Sequence, residues 1–215
     1  MRIMPGIFKP VSGLKDCSRT VQLFTFDFDN QKILLVHEKG DEKTGAKGPG
    51  PDVKIRKLAG SGMPGGGIDE NKSEHYLAEC IQKSLLPIYR ISGTSFREMP
   101  CDAEMELKLF LTAVTEGIEE TGLLICPVRI LFEEINGPGH KVVVALGRVT
   151  AGSICKRSIE TDGCDWFDLH NLPWDTYHSQ VRRIIRALKV LGRDDLAAKV
   201  TVQEKPKEKK ILEAV

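Results

Sequence analysis

Glu116, Glu119 and Glu120 stand at i, i+3 and i+4 near the end of a helical stretch, a spacing that stacks three carboxylates on one face. Like charges so placed repel, by about a few tenths of a kcal/mol for each solvated pair. The helix macrodipole adds to the conflict, because it disfavours anions at a C-terminus. A hard divalent cation removes it: Mg²⁺ prefers carboxylate and water oxygens and is usually shared between a few carboxylates and the phosphates of a substrate. The same trio also fits a solvated acidic face with no ligand, and charge pattern alone leaves both readings open.

A second group able to meet a phosphate lies earlier, in GSGMPGGGIDEN from Gly60. Gly65, Gly66 and Gly67 offer backbone amides with no side chain in the way, and such amides can approach phosphate oxygens. A tight turn is the other reading of this segment. The five histidines have no metal-ligand spacing among them. Trp166 and Phe167 read as core aromatics rather than a stacking platform.

The elements that must position these residues follow from patterning. Val21 to Phe28 and Lys32 to His37 flank the turn residues Asp29 and Asn30 and predict a β-hairpin. KGDEKTGAKGPGP, Lys39 to Pro51, has nothing apolar to bury and is expected to be a solvated loop, able to serve as a flap. A helix is predicted from Ser73 to Leu86, with a loop from Ile88 to Cys101. The acidic helix should run from about Asp102 to Thr121, closed by Gly122, with Leu107, Phe110, Leu111 and Val114 toward the core. LLICPVRILFEEI and HKVVVALGRVTA are strand candidates around the turn NGPG. HSQVRRIIRALKVL is an amphipathic helix, with Val181, Ile184, Ile185 and Leu188 on one face and Arg182, Arg183, Arg186 and Lys189 mostly on the other.

The whole chain narrows the function classes. Its 215 residues, 41% hydrophobic and 28% charged, suit one main globular domain. Lys and Arg number 31 against 30 for Asp and Glu, so no global field draws it to nucleic acid or an anionic membrane. The six cysteines form no CxxC pair and read as reduced thiols. MRIMPGIFKP has no apolar segment of secretory length, and no apolar run is long enough to span a bilayer. A cytoplasmic protein is expected. The tail EKPKEKK is too charged to pack.

Together the two groups resemble the Nudix family signature: Gly, five residues, Glu, seven residues, then Arg-Glu-aliphatic-any-Glu-Glu-any-Gly-aliphatic. The second half stands as TEGIEETGL, Thr115 to Leu123, and the first as PGGGID with Gly66 leading. The hairpin before the box, the DWFDLHNLP segment after it and the C-terminal amphipathic helix also look like the family, so the resemblance covers roughly Val21 to Leu191. It departs at Lys72, where Glu is expected, at Thr115, where Arg is expected, and at Gly117, where the residue is usually aliphatic. An insertion at about 71–104 separates the halves. In the family the Arg orients the glutamates; here that task would fall to Lys72, Lys108 or an arginine of the insertion, and Glu104 or Glu106 would have to supply the missing Glu.

The resemblance implies an α/β fold, a Nudix-like α/β/α sandwich on a mixed central sheet. It divides the chain into an N-terminal extension (1–20), the Nudix-like domain (21–192) and a charged tail (193–215). It further implies a hydrolase of a nucleoside diphosphate linked to another moiety, with Glu116, Glu119 and Glu120 as catalytic residues and ligands of Mg²⁺, or Mn²⁺ in its place. Gly65, Gly66 and Gly67 would bind a small nucleotide or diphosphate substrate. Glu160, Asp162 or Asp165 could supply a further acid. No nucleic-acid or membrane partner is expected, and a homodimer is left open. The departures motivate a rival, a Nudix-fold domain that senses a ligand or binds a protein without hydrolysis.

Overall fold

The computed structural model describes residues 18–47, 54–57, 59–67, 103–137, 139–154 and 161–206. Strand β1 (Ser18–Asp27) turns into β2 (Lys32–Glu38), with Phe26 opposite Ile33. The predicted hairpin therefore forms. Its turn is held by Asp27, whose carboxylate accepts the amides of Asp29 and Asn30 at 3.0 and 3.1 Å. Short strands β5 (Gly60–Gly62) and β6 (Gly65–Gly67) follow. After helix α1 (Ala103–Thr121) come β7 (Leu123–Ile135), β8 (His140–Gly152) and β9 (Thr161–Asp168). Helix α2 (His178–Val190) and the short α3 (Asp194–Ala197) complete the order.

Among the described residues the main sheet has seven strands, in the order β5-β2-β1-β8-β7, with β6 beside β1 and β9 beside β2. β1 and β8 are parallel over Ser18–Thr25, and the other pairs are antiparallel, so the sheet is mixed. Strand β7, at one end of that order, carries Pro127 and three register shifts. Such features blunt an edge against pairing with another chain.

Side chains alternate across this sheet, and both faces are covered. Val21 and Leu23 of β1, Leu34 and Val36 of β2 and Val143 and Ala145 of β8 pack with Leu109 and Ala113 of α1. Phe24, Phe26, Ile33, Leu35, Val142 and Val144 pack on the opposite side with Ile184, Ala187 and Leu188 of α2. Burial on both faces is why these strands are almost continuously apolar in sequence. The expected α/β/α sandwich is the observed architecture. Gly117 lets α1 lie close, since a Cβ there would stand 3.3 Å from Ile125 Cβ and 3.4 Å from Leu23 Cδ1.

Three expectations change, and one is extended. The flap region contains a two-stranded antiparallel sheet, β3 (Asp41–Lys47) with β4 (Lys54–Lys57). A lack of apolar residues speaks to solvent exposure, and a two-stranded ribbon can pair its backbone without a core. On α1, Phe110, Leu111 and Val114 are buried as expected, against Leu124, Cys126 and Ile130 of β7, and Leu109 and Ala113, which the pattern does not single out, pack over β1, β2 and β8; the side chain of Leu107 lies outside the described residues. Arg183 is not on the solvated face of α2: it is 3% exposed and donates to Glu134 at 2.5 Å and to Gln22 at 3.3 Å. Finally, packing continues past residue 192, with Leu196 and Ala197 in the core and the amides of Thr201 and Gln203 bound to the carbonyls of Leu169 and Leu172. The predicted helix at 73–86 and the loop at 88–101 lie outside the described residues, as does the chain beyond 206. No helix among those described is long and apolar enough to cross a membrane.

The loop before α2 is fastened to β5. Ser61 N–H donates to Asp175 O and Tyr177 N–H to Ser61 O, both at 3.2 Å. The Ser61 hydroxyl donates to Asp175 at 2.8 Å, which leaves its oxygen to accept from His37 Nδ1, also at 2.8 Å. Burial first, then the charges of Glu38 and Asp175, push the Tyr177 phenol up from 10.0 to about 12. A phenol that folding keeps neutral contributes stability that is complete below the unfolded value and is lost as pH rises through the interval between the two values. Alkaline unfolding should therefore steepen between 10.0 and about 12. Tyr177→Phe should flatten that limb in denaturant titrations run across pH; an unchanged limb would assign it to other groups.

Candidate functional site

The acidic end of α1 is finished with care for its carbonyls. Gly122 takes a positive φ of 74° and its N–H returns to Ile118 O at 2.8 Å, closing the helix as its glycine predicts. Three side chains donate to carbonyls of the last turn. The Thr121 hydroxyl reaches Gly117 O at 2.5 Å, the Thr161 hydroxyl reaches Glu120 O at 3.3 Å and the Cys164 thiol reaches Thr121 O at 3.5 Å. Each of these donors offsets part of the negative potential that a helix C-terminus would otherwise present to Glu116, Glu119 and Glu120. Thr161 and Cys164 come from β9, and nothing in their sequence context marks them.

The glycine segment meets this end of the helix. Thr20, Val21 and Gln22 of β1 pair with Gly67, Gly66 and Gly65, and Leu23 N–H donates to Pro64 O at 2.8 Å. Gly65 N–H donates to Glu120 Oε2 at 2.8 Å. The Glu116 carboxylate lies over Gly66 so closely that a Cβ there would fall 2.1 Å from Oε1. The two half-motifs, separated in sequence by the insertion, are thus in contact. Glu120 is 7% exposed, Glu116 is half-buried and Glu119 is open to solvent.

Departures from the motif have local consequences. Thr115, in place of the motif arginine, turns its hydroxyl back to Leu111 O at 2.9 Å, within its own helix. Asp162 pairs with Lys39 at 3.8 Å, and Asp165 accepts the amide of Trp166 at 2.7 Å; both are exposed. Lys72 and Glu160 lie outside the described residues, and so do the side chains of Glu104, Glu106 and Lys108.

Among the described residues, no three His, Cys, Asp or Glu side chains are gathered as a metal-holding group. Glu116 and Glu120 converge on the glycine segment, with Glu119 on the adjoining exposed surface. This is an all-oxygen donor set beside a glycine backbone, chemistry that fits a hard cation.

Neither a known family model nor a curated protein sequence matches the chain. Solved structures do. It is similar to an ADP-ribose pyrophosphatase from Streptococcus suis, at 20% identity over 81% of this chain and 91% of that one, TM-score 0.48. It is also similar to a Nudix hydrolase from Nitrosomonas europaea, at 12% identity over 87% and 78%, TM-score 0.49. A third is the Nudix domain of Shewanella oneidensis NrtR, solved with ADP-ribose, at 17% identity over 86% and 94%, TM-score 0.44. Identities and scores are modest, so the functional reading rests on this chain's own residues.

The two glycines facing the carboxylates should respond differently to alanine. At Gly65, φ is +156° and a Cβ would lie 2.1 Å from the backbone oxygen of Val21, so Gly65→Ala should lower stability by about 1–3 kcal/mol. At Gly66 the obstacle is the end of a flexible side chain. Gly66→Ala should keep stability within about 1 kcal/mol of wild type while displacing Glu116. Chemical denaturation of both variants checks this, and equal losses would contradict the geometry.

Proposed function

We propose that this chain is a Mg²⁺-dependent pyrophosphohydrolase of the Nudix type, acting on a nucleoside diphosphate linked to another moiety. The observation that carries the reading is the convergence of Glu116 and Glu120 on Gly66 and Gly65 across the insertion. A cation shared between these carboxylates would relieve the repulsion that their spacing on one helix end imposes. Glu116, Glu119 and Glu120 would hold the cation, with Mn²⁺ able to replace Mg²⁺. Such an ion, when bound, neutralises charge on the diphosphate oxygens.

The chain's own groups supply the rest. Of the three glycines, Gly67 would leave backbone open to the substrate's phosphates, since a Cβ there meets nothing nearer than Arg19 O at 4.0 Å, whereas the space at Gly65 and Gly66 is taken by Val21 O and the Glu116 carboxylate. The Gly65–Glu120 hydrogen bond holds the glycine segment against the helix. A carboxylate not engaged in holding the cation would orient the attacking water and take its proton. Glu119, which is exposed, would take that role or complete the cation site. The cleaved bond is the pyrophosphate bond, with water adding to one phosphorus as the bridging oxygen leaves with the other.

A second reading is favoured by one observation: Thr115 bonds its own helix and offers no guanidinium to the glutamates. On that reading the domain binds a nucleotide or a protein partner without hydrolysis. Turnover on nucleoside triphosphates, dinucleoside polyphosphates, ADP-ribose, NADH and nucleotide sugars, with and without Mg²⁺, separates the two. Hydrolysis should be Mg²⁺-dependent and fall by about a hundredfold or more in Glu119→Gln/Glu120→Gln. Thermal stabilisation by Mg²⁺ should vanish in the same variant. No turnover on any substrate, together with ligand-dependent stabilisation, would select the binding domain.

A further inference from the structure

Gln180 lies in the first turn of α2, on the side of the sheet away from α1, and is 4% exposed. Its Oε1 accepts the N–H of Met63 at 3.4 Å. The rest of the side chain lies along Gly62, where a Cβ would come within 3.3 Å of its Cγ, Cδ and Nε2. Beyond Met63 the chain is taken up from the other side. Pro64 O accepts from Leu23, and Gly65 N–H reaches Glu120. Residues 62–65 are therefore gripped between a carboxamide from α2 and a carboxylate from α1.

A buried carboxamide on a core-facing position is a costly choice, because it must be desolvated and satisfied. Leucine or methionine would fill similar volume. What neither provides is an acceptor for the Met63 amide, whose orientation sets the peptide that enters Pro64. One turn along α2, Arg183 donates to Gln22, the register partner of Gly65 on β1. The helix thus touches the glycine segment's surroundings at two places, once directly and once through β1.

We propose that Gln180 is a positioning residue for the glycine segment: by fixing the Met63 amide it aims Gly65 N–H at Glu120 and holds Gly66 beneath Glu116. Its consequence for turnover rests on the hydrolase reading; its consequence for the Gly65 amide does not.

Amide hydrogen exchange of the full chain, followed by NMR, tests this. In the wild type, the Met63 and Gly65 amides should both exchange slowly. Gln180→Met should speed both by about tenfold, the equivalent of one lost hydrogen bond, while Val143 and Val144 stay unchanged. Gln180→Glu keeps an acceptor and should remain within about threefold of wild type. If the chain hydrolyses a substrate, the methionine variant should also lower kcat by about tenfold with KM nearly constant, and the glutamate variant should restore it. Unchanged Gly65 exchange in Gln180→Met, or equal acceleration in Gln180→Glu, would overturn the assignment. Should Gln180→Met not fold, a rapidly exchanging Met63 amide in the wild type would overturn it equally. Altered Gly65 exchange in a chain that hydrolyses nothing would support the positioning role and count against the hydrolase.

Discussion

The hydrogen bond from the Gly65 amide to the Glu120 carboxylate, 2.8 Å long, ties a strand to a helix across 55 positions of sequence. It can form only if the helix lies close to the sheet and the strand carries no side chain where they meet. Gly117 meets the first requirement, since a Cβ there would press on Ile125 and Leu23. Gly65 and Gly66 meet the second, their missing Cβ positions being occupied by Val21 O and by the Glu116 carboxylate. A side chain at Gly117 would require Ile125 or Leu23 to give by a few tenths of an ångström.

Charge is the second constraint on the same helix end. Carboxylates at the negative pole of a helix are opposed both by each other and by the last carbonyls. Here the carbonyls of Glu120 and Thr121 are met by Thr161 and Cys164 of β9, and that of Gly117 by Thr121. The amide of Gly65 meets one carboxylate directly. These donors lower the cost of carrying three carboxylates at this end of the helix. β9 in turn is held by β2, with Trp166 opposite Leu34 and Cys164 opposite Val36. The site therefore draws on the central sheet and not only on the helix that displays it.

How much of this was legible in the sequence depends on the kind of signal. Periodicity sufficed for the β1–β2 hairpin, for β7 and β8 around their turn, and for α1 and α2, because each buries a recurring apolar face. The carboxylates and glycines were legible as a split motif. Gln180 and Arg183 were not, since a polar residue on an amphipathic helix reads as solvent-facing unless its partner is known, and the partners Met63, Gln22 and Glu134 lie far away in sequence. Hydrophobic patterning could not find β3 and β4, which pair their backbones without an apolar face in sequence. Leu109 and Ala113 were missed because the apolar surface of α1 is wide, reaching from β7 to the strands beside it, and the pattern singled out only part of it.

That the glycine segment and the end of α1 meet despite their separation in sequence follows from the elements that carry them. Contacts such as the Gly65–Glu120 bond and the seating of Glu116 over Gly66 are made by the flanking elements, and those are placed by the sheet. Added residues between 67 and 103 therefore change the connection and not the meeting point. Spacing along the chain does not register such an arrangement, whereas the contacts between β6 and α1 bring glycines and carboxylates together in space.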